Sequence, residues 1–149
     1  MLAAQRPRSS AEEDIAYYFR FQQTLRDSHP MPLKDVLVID DHPQSVEPVV
    51  RMLRRDGCEA SCVESAAAAL TALAAKRPRL VLLDIAMPGM DGIELLKELR
   101  RRPETKDLPV VMLTADPLRA PEAMQLGALD YIVKPVDLPA LRKRLAKYL

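Results

Sequence analysis

The chain is 149 residues and 16.7 kDa, sized for one domain with a little left over, and folding buries roughly 70% of the unfolded chain's surface at that size. Lys+Arg 22 against Asp+Glu 21 argues against a general polyanion or nucleic-acid binder, and 48% hydrophobic with 29% charged residues argues against a disordered chain. Cys58 and Cys62 are too few for a zinc site or a disulfide framework, the longest weakly polar run (66–75) is far too short to cross a membrane, and no apolar stretch follows Arg6 and Arg8 as a secretory signal requires; a cytoplasmic protein is expected.

Residues 1–10 read as a frayed tail. Ser10 and Glu13 have capping-box spacing, and Ile15, Tyr18, Phe19, Gln22 and Leu25 follow a helical period, which predicts a helix over 11–27. His29-Pro30-Met31-Pro32 ends it and serves as a linker, so residues 1–34 form an N-terminal extension and 35–149 the domain. From there, short apolar runs alternate with helical stretches. The runs are 36–39, a weaker 59–63, 80–83, 110–113 and 128–133. The helical stretches are 45–56, 65–77, 91–102, 117–126 and 137–148. Ser45 is the expected N-cap of the first, which would put Pro48 in its first turn. Gly57 and Gly127 fall where helices should stop. Four of the runs lack in–out alternation, as strands covered on both faces do. Strict alternation of strand and helix predicts an α/β fold, a five-stranded parallel sheet with right-handed crossovers; in a doubly wound order 2-1-3-4-5, strands one, three, four and five are contiguous and strand two lies at the edge.

What ends each strand carries the functional information. The first run ends in Asp40-Asp41, the third in Asp84, the fourth in Thr114 and the fifth in Lys134. In open α/β sheets, ligands bind outside the carboxyl ends of the strands, so these five side chains are expected to converge. Two unit charges 4 Å apart repel by about 4 kcal/mol at an effective dielectric of 20, so three gathered carboxylates imply a cation. Oxygen ligands select a hard ion, and carboxylates with retained waters suit Mg2+ better than zinc. A carboxylate beside such an ion can attack phosphorus and become an aspartyl phosphate.

Val36-Leu-Val-Ile-Asp-Asp41, Leu83-Asp84 with Met87-Pro-Gly-Met-Asp-Gly92, Leu113-Thr-Ala115 and Asp130-Tyr-Ile-Val-Lys-Pro135 together resemble the receiver domain of two-component response regulators, over residues 35–149. The resemblance implies a flavodoxin-like fold, a doubly wound sheet in the order 2-1-3-4-5, and it implies that Asp84 accepts a phosphoryl group from a histidine kinase or phosphotransfer protein. It implies that Asp41 and Asp84 bind Mg2+ directly, Asp40 through water or as a neighbour, and Ala86 through its carbonyl. Thr114 and Tyr131 become the coupled switch pair. Lys134 becomes the phosphate partner, with a cis peptide before Pro135. The expected function is a phosphorylation-dependent signalling switch that acts on a downstream protein target and on no outside substrate. A receiver cut from a larger regulator or hybrid kinase is the alternative. An aspartyl-phosphate phosphatase is disfavoured, because Ile85 and Ala86 follow Asp84 where an Asp-x-Asp-x-Thr motif would stand.

His42 beside the pocket reads as a loop histidine and His29 as a linker residue. Between Thr114 and Gly127 the chain is shorter than the family norm and carries Pro117 and Pro121, so the fourth helix should be short or start late. Four of the six aromatics, Tyr17, Tyr18, Phe19 and Phe21, fall within five residues. Such a cluster calls for burial: on the domain's own core, in a homodimer through this helix or the altered fourth-helix face, or against a separate partner.

Overall fold

A computed structural model describes residues 15–20 and 34–149. Leu33–Leu149 form a compact unit separate from Met1–Pro32. Within the latter, residues 15–20 are helical, with the Tyr18 and Phe19 rings edge-on at 6.3 Å. The rest of the helix expected over 11–27, its cap and the proline linker lie outside the described residues.

The larger unit alternates β1 (Asp35–Ile39), α1 (Pro43–Arg55), β2 (Glu59–Val63), α2 (Ala66–Ala75), β3 (Leu80–Leu83), α3 (Gly92–Arg101), β4 (Val110–Thr114), a 3-10 turn (Pro117–Arg119), α4 (Ala120–Gln125), β5 (Asp130–Val133) and α5 (Leu138–Leu145). All strand pairs are parallel and their order is β2-β1-β3-β4-β5, the flavodoxin-like order that the resemblance implied. Alternate strand residues feed two cores. Leu37, Ile39, Val81, Leu83, Val110 and Met112 pack under α2, α3 and α4. Val36, Val38, Leu80, Leu82, Val111 and Leu113 pack under α1 and α5. Each fully buried Leu, Ile or Val contributes about 1.5–3 kcal/mol, which explains why β1, β3 and β4 show no polar face in the sequence. The edge strand β2 reverts to partial exposure.

Two expected starts shift. Helix α1 begins at Pro43, not after Ser45, because the Ser45 hydroxyl donates to the His42 carbonyl at 2.9 Å and a helix can start on a proline. Pro48 therefore lies inside α1, on its exposed side, where water can take the carbonyl left without a donor. The fifth strand begins at Asp130, since Gly127 (φ 82°) ends the preceding helical turn and Ala128 turns back to bond the Ala123 carbonyl. Helix α4 is short and late as expected, with Pro121 in its first turn.

One cation holds the region behind α3 together. The Arg100 guanidinium donates to the carbonyls of Leu126 (2.8 Å), Leu108 (2.8 Å), Lys106 (2.9 Å), Gly127 (3.2 Å) and Thr105 (3.4 Å). It thus pins the α3–β4 and α4–β5 connections to α3. Hydrogen bonds from a charged donor are each worth about 1.5–3 kcal/mol, less where water competes. Arg100→Ala should therefore cost about 2–3 kcal/mol in denaturant unfolding; an unchanged midpoint would contradict this role.

Candidate functional site

The carboxyl ends of β1, β3, β4 and β5 meet at one rim. Parallel register places Ile39 beside Leu83, Leu83 beside Met112, and Thr114 beside Val133, so Asp40, Asp84, Thr114 and Lys134 all stand at the same edge of the sheet. Lys134 ties the rim together. Its ammonium lies 2.5 Å from Asp40 Oδ2, 3.5 Å from Asp84 Oδ2 and 3.3 Å from Ser45 Oγ. Residues 40, 84 and 134, far apart in sequence, are thus one cluster. The Lys134–Pro135 peptide is cis.

Each carboxylate is differently placed. Asp40 is 1% exposed and accepts the His42 backbone N–H at 2.8 Å. Asp41 is more open, with its Oδ1 3.0 Å from His42 Nδ1. Asp84 is 6% exposed, and its Oδ1 accepts from the exposed Ala86 N–H at 3.3 Å. Donor atoms of Asp40, Asp41 and His42 lie within 4.8 Å of one another. Thr114 is fully buried and its Oγ1 accepts from the Asp116 N–H at 2.9 Å, which leaves its own hydroxyl hydrogen to donate. Tyr131 is 39% exposed and lines a groove with Pro135, Ala140 and Arg144, between β5 and α5. Its ring stands out at the surface while Thr114 stays inside.

The donor set fits a hard divalent cation. The Asp40 and Asp84 carboxylates share a single ammonium and Asp41 stands beside Asp40, so the rim holds more carboxylates than cations, and carboxylate oxygens are donors that Mg2+ takes. The strain shows in Asp84. Burial raises its pKa above the ordinary carboxylate value, Lys134 draws it down, and the Asp40 charge raises it again. A raised folded-state pKa means that this group's contribution to stability is present below its unfolded pKa and is lost as pH rises through the folded value. Ionised Asp84 is therefore a net cost at neutral pH in metal-free buffer. Asp84→Asn should raise the melting midpoint by about 2–4 °C at pH 7 with chelator, the equivalent of about 1 kcal/mol at this size. The gain should vanish below about pH 4, where carboxylates protonate in either state. A midpoint at pH 7 no higher than that of the unaltered chain would contradict the burial argument.

Two features of the rim were not legible in the sequence. Ser45, expected as a helix cap, instead presents its hydroxyl to Asp40 and Lys134. In the sequence Gly92 reads only as the end of a motif. A Cβ there would stand 2.0 Å from the Asp84 carbonyl oxygen, so the glycine lets α3 start directly against the backbone of Asp84 and Ile85.

Residues 36–146 match the family model of the response regulator receiver domain. The DNA-binding response regulator MtrA of Mycolicibacterium smegmatis is 39% identical over 102 residues, which cover 67% of this chain and 43% of MtrA; the chain spans less than half of that regulator's length. Among solved structures, the chemotaxis protein CheY4 of Vibrio cholerae superposes with a TM-score of 0.72 at 29% identity, over 78% of this chain and 99% of that one. The response regulator TrrA of Thermotoga maritima, solved in complex with Mg(2+)-BeF, superposes with a TM-score of 0.70 at 32% identity, over 78% of this chain and all (100%) of that one. No helix among the described residues is long and apolar enough to cross a membrane. With its strand order, its acidic rim and these matches in agreement, the chain belongs to the response regulator receiver domain family.

Proposed function

We propose that Asp84 accepts a phosphoryl group from a histidine kinase or phosphotransfer protein, in a Mg2+-dependent reaction, and that this changes the surface offered to a downstream protein target. The observation that carries the reading is the Lys134 ammonium set between the buried carboxylates of Asp40 and Asp84. An Asp84 carboxylate oxygen attacks phosphorus as the phosphorus–nitrogen bond of the donor phosphohistidine breaks, and the imidazole leaves with the electron pair. Lys134 supplies a point charge to the incoming phosphoryl oxygens, and Thr114 donates its free hydroxyl hydrogen to one of them. Asp40, Asp41, Asp84 and the Ala86 carbonyl are the residues that would hold Mg2+, whose charge would offset that of the phosphoryl oxygens during in-line displacement. Later attack of water on phosphorus returns free Asp84 and phosphate. The chain thus acts on itself and on no outside substrate.

Phosphorylation draws Thr114 toward the phosphoryl group, and the exposed Tyr131 lies one strand away on the surface that a target reads. The complex of TrrA with Mg(2+)-BeF supports the same cation and a phosphoryl-like ligand here. The 43% coverage of MtrA supports a second reading, a receiver that works beside an output domain, with the same chemistry at Asp84. Radiolabelled acetyl phosphate with Mg2+ should label the chain, chelator should prevent it, and Asp84→Asn should abolish it. Stoichiometric base-labile label in that variant would refute the assignment.

A further inference from the structure

Thr114 closes β4, and the chain then runs through the 3-10 turn into α4. This connection is held at both ends. At its start, the Asp116 N–H donates to Thr114 Oγ1 at 2.9 Å, and the Asp116 carboxylate accepts from the Leu118 N–H at 3.1 Å, so the hydroxyl and the turn are fixed to each other. At its end, Arg119 Nη1 donates to Asp91 Oδ2 at 2.9 Å, across to the β3–α3 loop. Asp91 is itself rigid. Its Oδ1 caps α3 by accepting from the Glu94 N–H at 2.9 Å, and the neighbouring Gly92 N–H donates to the Ile85 carbonyl at 2.8 Å, one residue after Asp84. A continuous series of short contacts therefore runs from Asp84 through Ile85, Gly92, Asp91 and Arg119 back to Thr114.

We infer that Arg119 is a positioning residue for phosphoryl binding: its ion pair with Asp91 ties the connection that carries Thr114 to the loop that carries Asp84, and so holds the Thr114 hydroxyl ready for a phosphoryl oxygen. This rests on the reading of Asp84 as phosphoryl acceptor. A role in stability does not account for the pair. The two side chains are 39% and 23% exposed, and such ion pairs stabilise proteins little. Its effect lies in preorganisation: with the connection already clamped, binding does not have to order it. Arg119 also lies 3.6 Å from Glu122, a contact within its own segment that ties nothing across the rim.

The test is calorimetric titration with beryllofluoride at saturating Mg2+, on the full chain and the variants Arg119→Gln, Arg119→Lys, Asp91→Asn, Glu122→Gln and the double Arg119→Gln/Asp91→Asn. Asparagine at 91 keeps an oxygen for the helix cap and replaces the oxygen that accepts from Arg119 with an amide donor, which removes the ion pair. Arg119→Gln and Asp91→Asn should each weaken binding about three- to five-fold, with melting midpoints within about 2 °C of the unaltered chain. The double variant should lose no more than either single one, Arg119→Lys should recover part of the affinity, and Glu122→Gln should bind as the unaltered chain does. Equal or tighter binding by Arg119→Gln, or fully additive losses in the double variant, would overturn the inference while leaving the acceptor reading intact. If the unaltered chain does not bind beryllofluoride, or Asp84→Asn binds it equally well, the acceptor reading itself fails and the inference falls with it.

Discussion

Gly92→Ala should cost about 3 kcal/mol or more and abolish phosphoryl uptake. The added Cβ would lie 2.0 Å from the Asp84 carbonyl oxygen and 2.8 Å from both the Asp84 carbonyl carbon and the Ile85 Cα. All three are backbone atoms, so no flexible side chain can move aside. Overpacking a core commonly costs about 1–3 kcal/mol, and a clash with backbone belongs at or above the top of that range. Relief would require α3 to withdraw from β3, which would drag Ile85 through its carbonyl's bond to the Gly92 N–H and displace Asp84 from Lys134. Gly57 is the matched control. It has a positive φ of 88° but open space around its Cβ position, so alanine there should cost only about 1 kcal/mol from backbone strain and leave labelling intact. Melting curves and acetyl phosphate labelling of both variants decide the matter. A Gly92→Ala chain as stable as Gly57→Ala, and labelled as well, would contradict the close approach.

Lys134→Met should destabilise the metal-free chain by about 3 kcal/mol, or roughly 6–12 °C in melting midpoint. Methionine matches the length of the lysine stem and removes the ammonium, both its charge and its hydrogen bonds to Asp40, Asp84 and Ser45. Asp40 and Asp84 would then face each other buried with no cation between them, and removing one partner from a buried ion pair typically costs about 3–5 kcal/mol. The rim is open enough for Lys134 to be 17% exposed, which favours the lower end of that range. Added Mg2+ should restore more stability to Lys134→Met than to the unaltered chain, because the ion no longer competes with an ammonium for the same carboxylates. Phosphoryl affinity should nevertheless fall, since the point charge for the phosphoryl oxygens is gone. Thermal scans with chelator and with millimolar Mg2+ test this. Equal metal-free stability would show that Lys134 does not neutralise the pair.

The sheet was readable because its strands are buried on both faces, so β1, β3 and β4 stand out as unbroken apolar runs. The rim was readable for a related reason. A charged residue that ends an apolar strand can only emerge at the strand's carboxyl edge, and Asp40, Asp41, Asp84 and Lys134 all do so. Where the sequence misled, local chemistry had two equivalent solutions. Ser45 and Pro43 are both sound helix-start residues, and the Ser45 hydroxyl, which donates to the His42 carbonyl and accepts from Lys134, is engaged elsewhere than in a cap. What stayed hidden depends on tertiary proximity alone. Arg100 reaches five carbonyls on segments beyond its own helical turn, and Arg119 finds Asp91 28 residues away, neither with any periodic signature. Gly92 is legible as a turn residue, but its closeness to Asp84 is a property of how α3 docks. Tyr131 shows the same limit. Its strand position was plain, whereas its placement on the outside, apart from the buried Thr114, follows from β5 being an edge.

The most direct test of the central claim maps the esterified residue chemically. The chain is phosphorylated with acetyl phosphate and Mg2+, reduced with borohydride, which converts an acyl phosphate to the alcohol, and digested for peptide mass spectrometry. Homoserine at position 84 alone, absent when chelator replaces Mg2+, is the result expected of an Asp84 phosphoryl acceptor served by Lys134 and its acidic neighbours. Homoserine at Asp40 or Asp41, or an unmodified Asp84 in a labelled chain, would contradict it.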